Sequence, residues 1–210
     1  MFITFEGPEG SGKTTQIALL HETLAQQGYS VVTTREPGGT PIGEQIRTVL
    51  QHHDNAALVP EAEILLFSAS RAQLVAEVVN PALKRGHIVL SDRFVDSTFA
   101  YQGYGHGLNM HVLQTVTTFV TDGLMPDVTF YLAISPEEGL KRRQDDPKSE
   151  WNRMDALELA FHKRVHEGYH TLMRKDPERW VSIDAARPPQ AIHKAIVNAL
   201  EKRLNPSQTP

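Results

Sequence analysis

Short apolar runs of strand length alternate along the chain with longer stretches in which apolar residues recur every three or four positions. The pattern predicts strands over 2–5, 29–33, 87–90, 128–134 and 180–183. Between them it predicts a helix carrying Ile17, Leu20 and Leu24 that stops at Gly28, and helices over 43–52, 61–85, 112–120, 136–143, 155–174 and 189–204. Pro81 should bend the longest of these near its end, and Ser135 with Pro136 supplies an N-cap and first helical residue for the helix over 136–143. Strands separated by helices imply parallel pairing through crossovers. The predicted fold is therefore α/β, a doubly wound five-stranded parallel sheet flanked by helices, whose ligands bind at the carboxyl ends of the strands. No internal repeat or linker divides it, so residues 1–210 read as one domain with a frayed tail from about 205.

Composition narrows this little but usefully. The chain is 40% hydrophobic and 22% charged, which suits one well-packed core. It has no cysteine, so disulfide frameworks, thiolate metal sites and cysteine nucleophiles are excluded. Apolar runs such as 62–67 and 74–79 are interrupted by charge, and MFITFEG lacks a basic leader region, so neither a membrane span nor a signal peptide is expected and a cytoplasmic location fits. A net charge of −4 without basic blocks disfavours a nucleic-acid polymer as partner.

The chemistry begins after the first strand. Gly7, Pro8, Glu9, Gly10, Ser11, Gly12, Lys13 and Thr14 match the Walker A pattern between a predicted strand and a predicted helix, with Thr15 following. Such a loop turns its amides toward phosphates, places the lysine at the β/γ-phosphates and offers the Thr14 hydroxyl to Mg²⁺. A nucleoside triphosphate is the expected ligand. No Asn-Lys-x-Asp segment follows that would read a guanine. The third strand ends in Ser91-Asp92-Arg93; Asp92 suits Mg²⁺ or its water shell, and Arg93 suits a second phosphate. Phe67 and Arg71 stand four apart on one predicted helix face; taken alone they read as core and as a solvated charge.

FEGPEGSGKTT, TREPGGTPIGEQIR, LLFSASRAQ, SDRFVDSTFAYQG, PDVTFYL and FHKRVHEGY follow one another over about residues 2–185. In this order and spacing they resemble the thymidylate kinases, specifically the bacterial type that carries its catalytic arginines in a lid. The resemblance implies a P-loop NTPase fold and transfer of a phosphoryl group from ATP to dTMP, with Mg²⁺, in a homodimer packed through helices. It implies that Phe67 stacks on thymine, Arg71 donates to a thymine carbonyl, and Thr98, Tyr101 and Gln102 line the base edge and deoxyribose. Arg93 would hold the acceptor phosphate, with Arg35 and Arg47 as further cations, and Glu9 would accept from the deoxyribose 3′-hydroxyl. A kinase for another nucleotide or deoxynucleoside, or a non-catalytic nucleotide-binding module, is the alternative.

Some kinases of this kind place an arginine inside the phosphate loop, where this chain has Gly10 and Ser11. The expected substitute is a mobile lid over about 141–155, with Arg142, Arg143, Lys148 and Arg153 as its cations and Arg142 and Arg153 as the ones expected at the phosphates. Asp184-Ala-Ala-Arg187-Pro188, after the last strand, is a candidate for the adenine side. His162, His166 and His170 form a one-sided stripe on a predicted helix; its ends lie about 12 Å apart, too far to share one ion. The stripe is expected to be a solvated or partner-facing surface.

Overall fold

The computed structural model describes residues 1–147 and 151–204. Lys148 and the expected frayed tail lie outside the described residues. The strands are β1 (Phe2–Glu6), β2 (Val31–Arg35), β3 (Ile88–Asp92), β4 (Val128–Ala133) and β5 (Trp180–Asp184). They form one sheet in the order β2-β3-β1-β4-β5, every neighbouring pair parallel. The central strand thus delivers its carboxyl end into the middle of the sheet, where ligands of such folds bind.

Strand parity decides which side chains meet which layer. Ile3 and Phe5 of β1 and Phe130 and Leu132 of β4 face one side, where α1 (Lys13–Gln26) and α9 (Pro189–Leu204) cover them with Leu20, Leu24, Ile192 and Ile196. The other face carries Phe2, Val89 and Tyr131. It packs on α3 (Pro60–Leu74), α4 (Asn80–Lys84), α5 (Val95–Thr98) and α8 (Leu159–Lys175). Thr4 and Glu6 share the parity of Phe2. Thr4 bonds the Thr129 hydroxyl at 2.9 Å, and Glu6, fully buried at the strand's end, lies beneath the β3–α5 turn.

The remaining helices are α2 (Pro41–Gln51), α6 (Met110–Thr121) and α7 (Pro136–Asp145). The Thr40 side chain caps α2 by accepting from Gly43 N, and Ser135 caps α7 by accepting from Glu138 N, with proline at the start of each helix. Two departures from the sequence pattern matter. The helix expected over 61–85 is α3 and α4 joined by a π-helical turn, Val75–Val79, just before Pro81, whose missing N–H removes one helical bond. The segment after β3, which has no helical period, is α5 continued as a π-helical turn, Phe99–Gly105. That turn carries Tyr101 and Gln102 into the interior.

A third departure concerns the histidines. His162 is buried, His166 Nδ1 is 3.0 Å from the Tyr131 hydroxyl, and His170 Nε2 is 3.0 Å from His166 Nε2. The expectation of a solvated or partner-facing stripe is thereby corrected. The physical reason is that each histidine follows or precedes Phe161, Val165 or Tyr169 by one position, so the stripe flanks the apolar face of α8 and turns inward with it.

Under the sheet, Arg179 forks onto Asp96 at 2.6 and 2.9 Å and donates to Thr129 Oγ1 at 2.7 Å, tying the start of β5 to α5. Arg179 also holds the more exposed Asp176 at 2.7 Å, so losing Asp96 strips it of its buried partner but not of all compensation. Asp96→Ala should therefore lower the unfolding free energy by about 1.5–3 kcal/mol in urea titrations, whereas a change below about 0.5 kcal/mol would show the pair to be dispensable.

Candidate active site

The phosphate loop leaves β1 with Gly7 and enters α1 at Lys13. Lys13 Nζ folds back over it, donating to the carbonyls of Gly7 at 3.2 Å and Pro8 at 2.9 Å. Gly10 has φ +69°, and a Cβ there would collide with the Gly139 carbonyl on α7; a Cβ on Gly139 would in turn meet the Glu9 carbonyl. Loop and helix thus touch backbone to backbone, and no side chain fits at position 10. This accounts physically for the lack of a loop arginine and seats Arg142 and Arg143, the next turn of α7, beside the loop.

Asp92 ends β3 and accepts from Thr14 Oγ1 at 2.9 Å. Arg93, next in the chain, has a left-handed backbone (φ 71°), an unfavourable state for a non-glycine residue. Its N–H bonds the Phe5 carbonyl at 3.0 Å, which fixes the turn to β1. Its guanidinium lies 4.9 Å over the Tyr101 ring and donates to Glu9 at 2.6 Å, Tyr101 Oη at 3.0 Å, and the hydroxyls of Ser97 and Tyr169 at 3.1 Å each. Glu9 therefore points across the loop toward Arg93 rather than over the phosphate cradle. Burial alone would raise its carboxyl, but Arg93, then Lys13 and Arg143, outweigh that and hold it at about 2. At neutral pH it is an acceptor only.

Behind Arg93 sits Glu6, which no sequence motif singled out. It accepts from Phe94 N at 2.9 Å, Ser97 Oγ at 2.6 Å and Tyr169 Oη at 2.7 Å, and lies 3.8 Å from Arg93 Nη1. Burial pushes its carboxyl up from the ordinary 4.5 to about 7, against the pull of Arg93.

A cavity of about 1120 Å³ runs from the phosphate loop past Arg93 to Phe67, Arg71, Thr98 and Gln102. Phe67 is half-buried on its wall. Arg71 is neither core nor solvated: its side chain is 1% exposed and forks onto the equally buried Glu36 at 2.6–3.0 Å. It also donates to Thr98 Oγ1 at 2.9 Å and the Phe94 carbonyl at 3.2 Å. Of its five N–H groups, one on Nη1 has no partner among the described residues and is left for the cavity. Gln102 Nε2 donates to Glu63 at 2.8 Å. Arg35 and Arg47 also line the cavity, Arg35 paired with Glu44 at 2.8 Å and Arg47 donating to the Pro37 carbonyl at 2.9 Å.

The lid cations separate. Arg142 lines the cavity but donates to Glu138 at 2.9 Å and to the Ala185 carbonyl at 2.9 Å, which draws it to the loop after β5. Arg143 also lines the cavity and reaches Asp155 at 3.1 Å. Arg153, expected at the phosphates, is elsewhere: it is buried, bonded through Nε to the Leu50 carbonyl at 2.9 Å and ion-paired with Glu63. The reason is the buried carboxylate on α3, which offers a stronger partner than solvent and which the sequence pattern did not reveal.

A phosphate loop and a second cationic anchor facing one cavity, with an aromatic and a donor beyond, define a nucleoside monophosphate kinase of the P-loop class. Comparison with known proteins refines that. The family model described as thymidylate kinase matches residues 5–196. Thymidylate kinases of Roseiflexus castenholzii and Bacillus pumilus are 49% and 48% identical, over 97% and 99% of this chain and 94% and 98% of theirs. A crystal structure of thymidylate kinase from Ehrlichia chaffeensis superimposes with a TM-score of 0.78 at 34% identity, covering 95% of this chain and 98% of that one. The chain belongs to the thymidylate kinase family.

The Glu6 environment yields a signed prediction. A carboxyl whose folded pKa is raised binds its proton more tightly in the folded state between the unfolded value of 4.5 and about 7, so stability falls as pH rises through that window. The stability difference between wild type and Glu6→Gln should decline by about 3 kcal/mol from pH 4.5 to 7 and then stay flat. A difference constant with pH would contradict the assignment.

Proposed function

We propose that this chain transfers the γ-phosphoryl group of ATP to the 5′-phosphate of dTMP, giving dTDP and ADP. The observation that carries the reading is the meeting of Lys13 and its loop with Arg93 over one cavity whose far wall holds Phe67 and Arg71. An acceptor phosphate oxygen is already anionic, so it attacks the γ-phosphorus directly as the bond to the β-phosphate oxygen breaks, with no protein nucleophile. The residues position the two nucleotides and neutralise charge. Lys13 and the loop amides hold the β- and γ-phosphates, Arg93 holds the acceptor phosphate, and Arg143 approaches from α7. Arg142, drawn to the Ala185 carbonyl, belongs to the adenine side of ATP.

Thr14 and Asp92 present a hydroxyl and a carboxylate to each other at 2.9 Å, oxygen donors of the kind Mg²⁺ prefers. They would hold the ion, directly or through water, where it would supply charge neutralisation at the phosphates. Phe67 stacks on thymine, the remaining Arg71 N–H donates to its carbonyl, and Glu9, ionised above about pH 2, accepts from the 3′-hydroxyl. Thr98, Tyr101 and Gln102 line the base edge and sugar.

We read the chain as one domain with its lid over about 141–155, acting in the cytoplasm. No helix among the described residues is long and apolar enough to cross a membrane. A homodimer is part of the reading: Leu65 on α3 and Val112 and Phe119 on α6 are 61%, 57% and 86% exposed, an apolar set on adjoining helices. Sedimentation at micromolar concentration should give a dimer; a monomer would remove that element.

Steady-state kinetics against a panel of monophosphates tests the reaction. kcat/KM for dTMP should exceed those for UMP and dCMP by at least about tenfold, and parity with either would overturn the base pocket. Glu9→Ala should raise KM for dTMP by about tenfold while leaving KM for ATP within about twofold. The reverse pattern would place Glu9 on the ATP side.

A further inference from the structure

Glu63 on α3 is fully buried, yet no step of the proposed reaction uses it. Its carboxylate gathers three residues from two other parts of the chain. Oε1 accepts from Gln102 Nε2 at 2.8 Å and lies 3.2 Å from His106 Nε2. Oε2 is ion-paired with Arg153 Nη2. Arg153 is itself fixed by the Leu50 carbonyl, and its own N–H bonds the Gln51 carbonyl at 3.2 Å, so the cation cannot follow Glu63 elsewhere without breaking both.

The consequence falls on Gln102. A glutamine amide is ambiguous in direction: it can offer either its NH2 or its carbonyl oxygen. An ionised carboxylate accepts and cannot donate, so it commits the NH2 of Gln102 to Glu63. With the nitrogen anchored at Glu63, the carbonyl, an acceptor, is the amide atom on the far side of the group and is turned to the cavity that Gln102 lines. Arg71, bonded to Thr98 one turn before Gln102 and lining the same cavity, offers a donor. Acceptor next to donor complements a pyrimidine with an N–H next to a carbonyl, as in thymine. It opposes cytosine, whose ring nitrogen is an acceptor and whose neighbouring group is an amine.

We propose that Glu63, held in place by Arg153, is a specificity-determining positioning residue: it fixes the direction of the Gln102 amide and so selects thymine over cytosine. Its charge is secure at neutral pH. Burial works against ionisation, but His106, Arg153 and Gln102 outweigh it and hold the carboxyl below its usual range. The proposal rests on the reading that the pyrimidine occupies the cavity at Phe67, Arg71 and Gln102.

The test measures kcat/KM for dTMP and dCMP, and KM for ATP, in Glu63→Gln, in Glu63→Gln combined with Arg153→Met, and in Gln102→Leu. A neutral amide at 63 accepts or donates equally well and releases Gln102; the double variant also removes the stranded cation, and it decides the matter if the single one misfolds. The preference for dTMP over dCMP should fall by about tenfold, the size of one reversed hydrogen bond, in both Glu63 variants. KM for ATP should stay within about twofold, which a general loosening of the fold would not produce. If Gln102→Leu lowers the preference but both Glu63 variants keep the wild-type ratio, Glu63 does not orient Gln102 and the proposal is overturned while the pyrimidine reading stands. If Gln102→Leu changes neither constant, the pyrimidine reading falls and the proposal with it.

Discussion

The Arg93 guanidinium reaches the cavity from a backbone held at φ 71°, a conformation that costs about 1–2 kcal/mol for a residue with a side chain. The pairing of β1 with β3 maintains it. The Phe5 carbonyl takes the Arg93 N–H, and Glu6, the next residue of β1, takes the N–H of Phe94. The same strand then becomes the phosphate loop, so the loop and the Arg93 guanidinium hang from adjacent positions of one strand pair. Their separation is set by sheet geometry, which is rigid, rather than by loops. Glu9 closes the arrangement by crossing from the loop to Arg93 at 2.6 Å.

The same device recurs through the site. Arg93 is backed by Glu6 and Glu9, Arg71 by Glu36, Arg153 by Glu63 and Arg143 by Asp155. An arginine alone in a buried wall would be costly and would have no reason to keep one orientation. With a carboxylate behind it, the guanidinium keeps its place: Arg93, Arg71 and Arg143 do so on the cavity wall, whereas Arg153 is held on Glu63 behind it. The acids fix the direction in which these arginines face, and in our proposal Glu63 does the same directly for the amide of Gln102.

Much of this was legible in the sequence, and the illegible part has a physical pattern. Strand and helix periods gave the five-stranded sheet, and the strand–loop–helix context gave the phosphate loop, because both are local signals. Ser135 and Pro136 announced the start of α7 for the same reason. The turn Phe99–Gly105 was not legible, since a π-helical register has no apolar period to betray it. Glu6, Glu36 and Glu63 looked like ordinary strand, turn and helix charges; their partners stand 35 to 163 positions away, so only the folded chain joins them. Arg153 was misplaced for that reason: a cation in a polar lid segment looks free until its buried acid is seen.

In the proposed reaction Arg93 serves the acceptor phosphate while the loop around Lys13 serves the donor. Titration calorimetry of wild type and Arg93→Gln with dTMP and, separately, with ATP addresses it most directly. Binding of dTMP should weaken by roughly 100-fold, as expected for loss of a charge-assisted contact to a phosphate, with ATP affinity changed by less than about threefold. Equal weakening of both, or a loss confined to ATP, would contradict it.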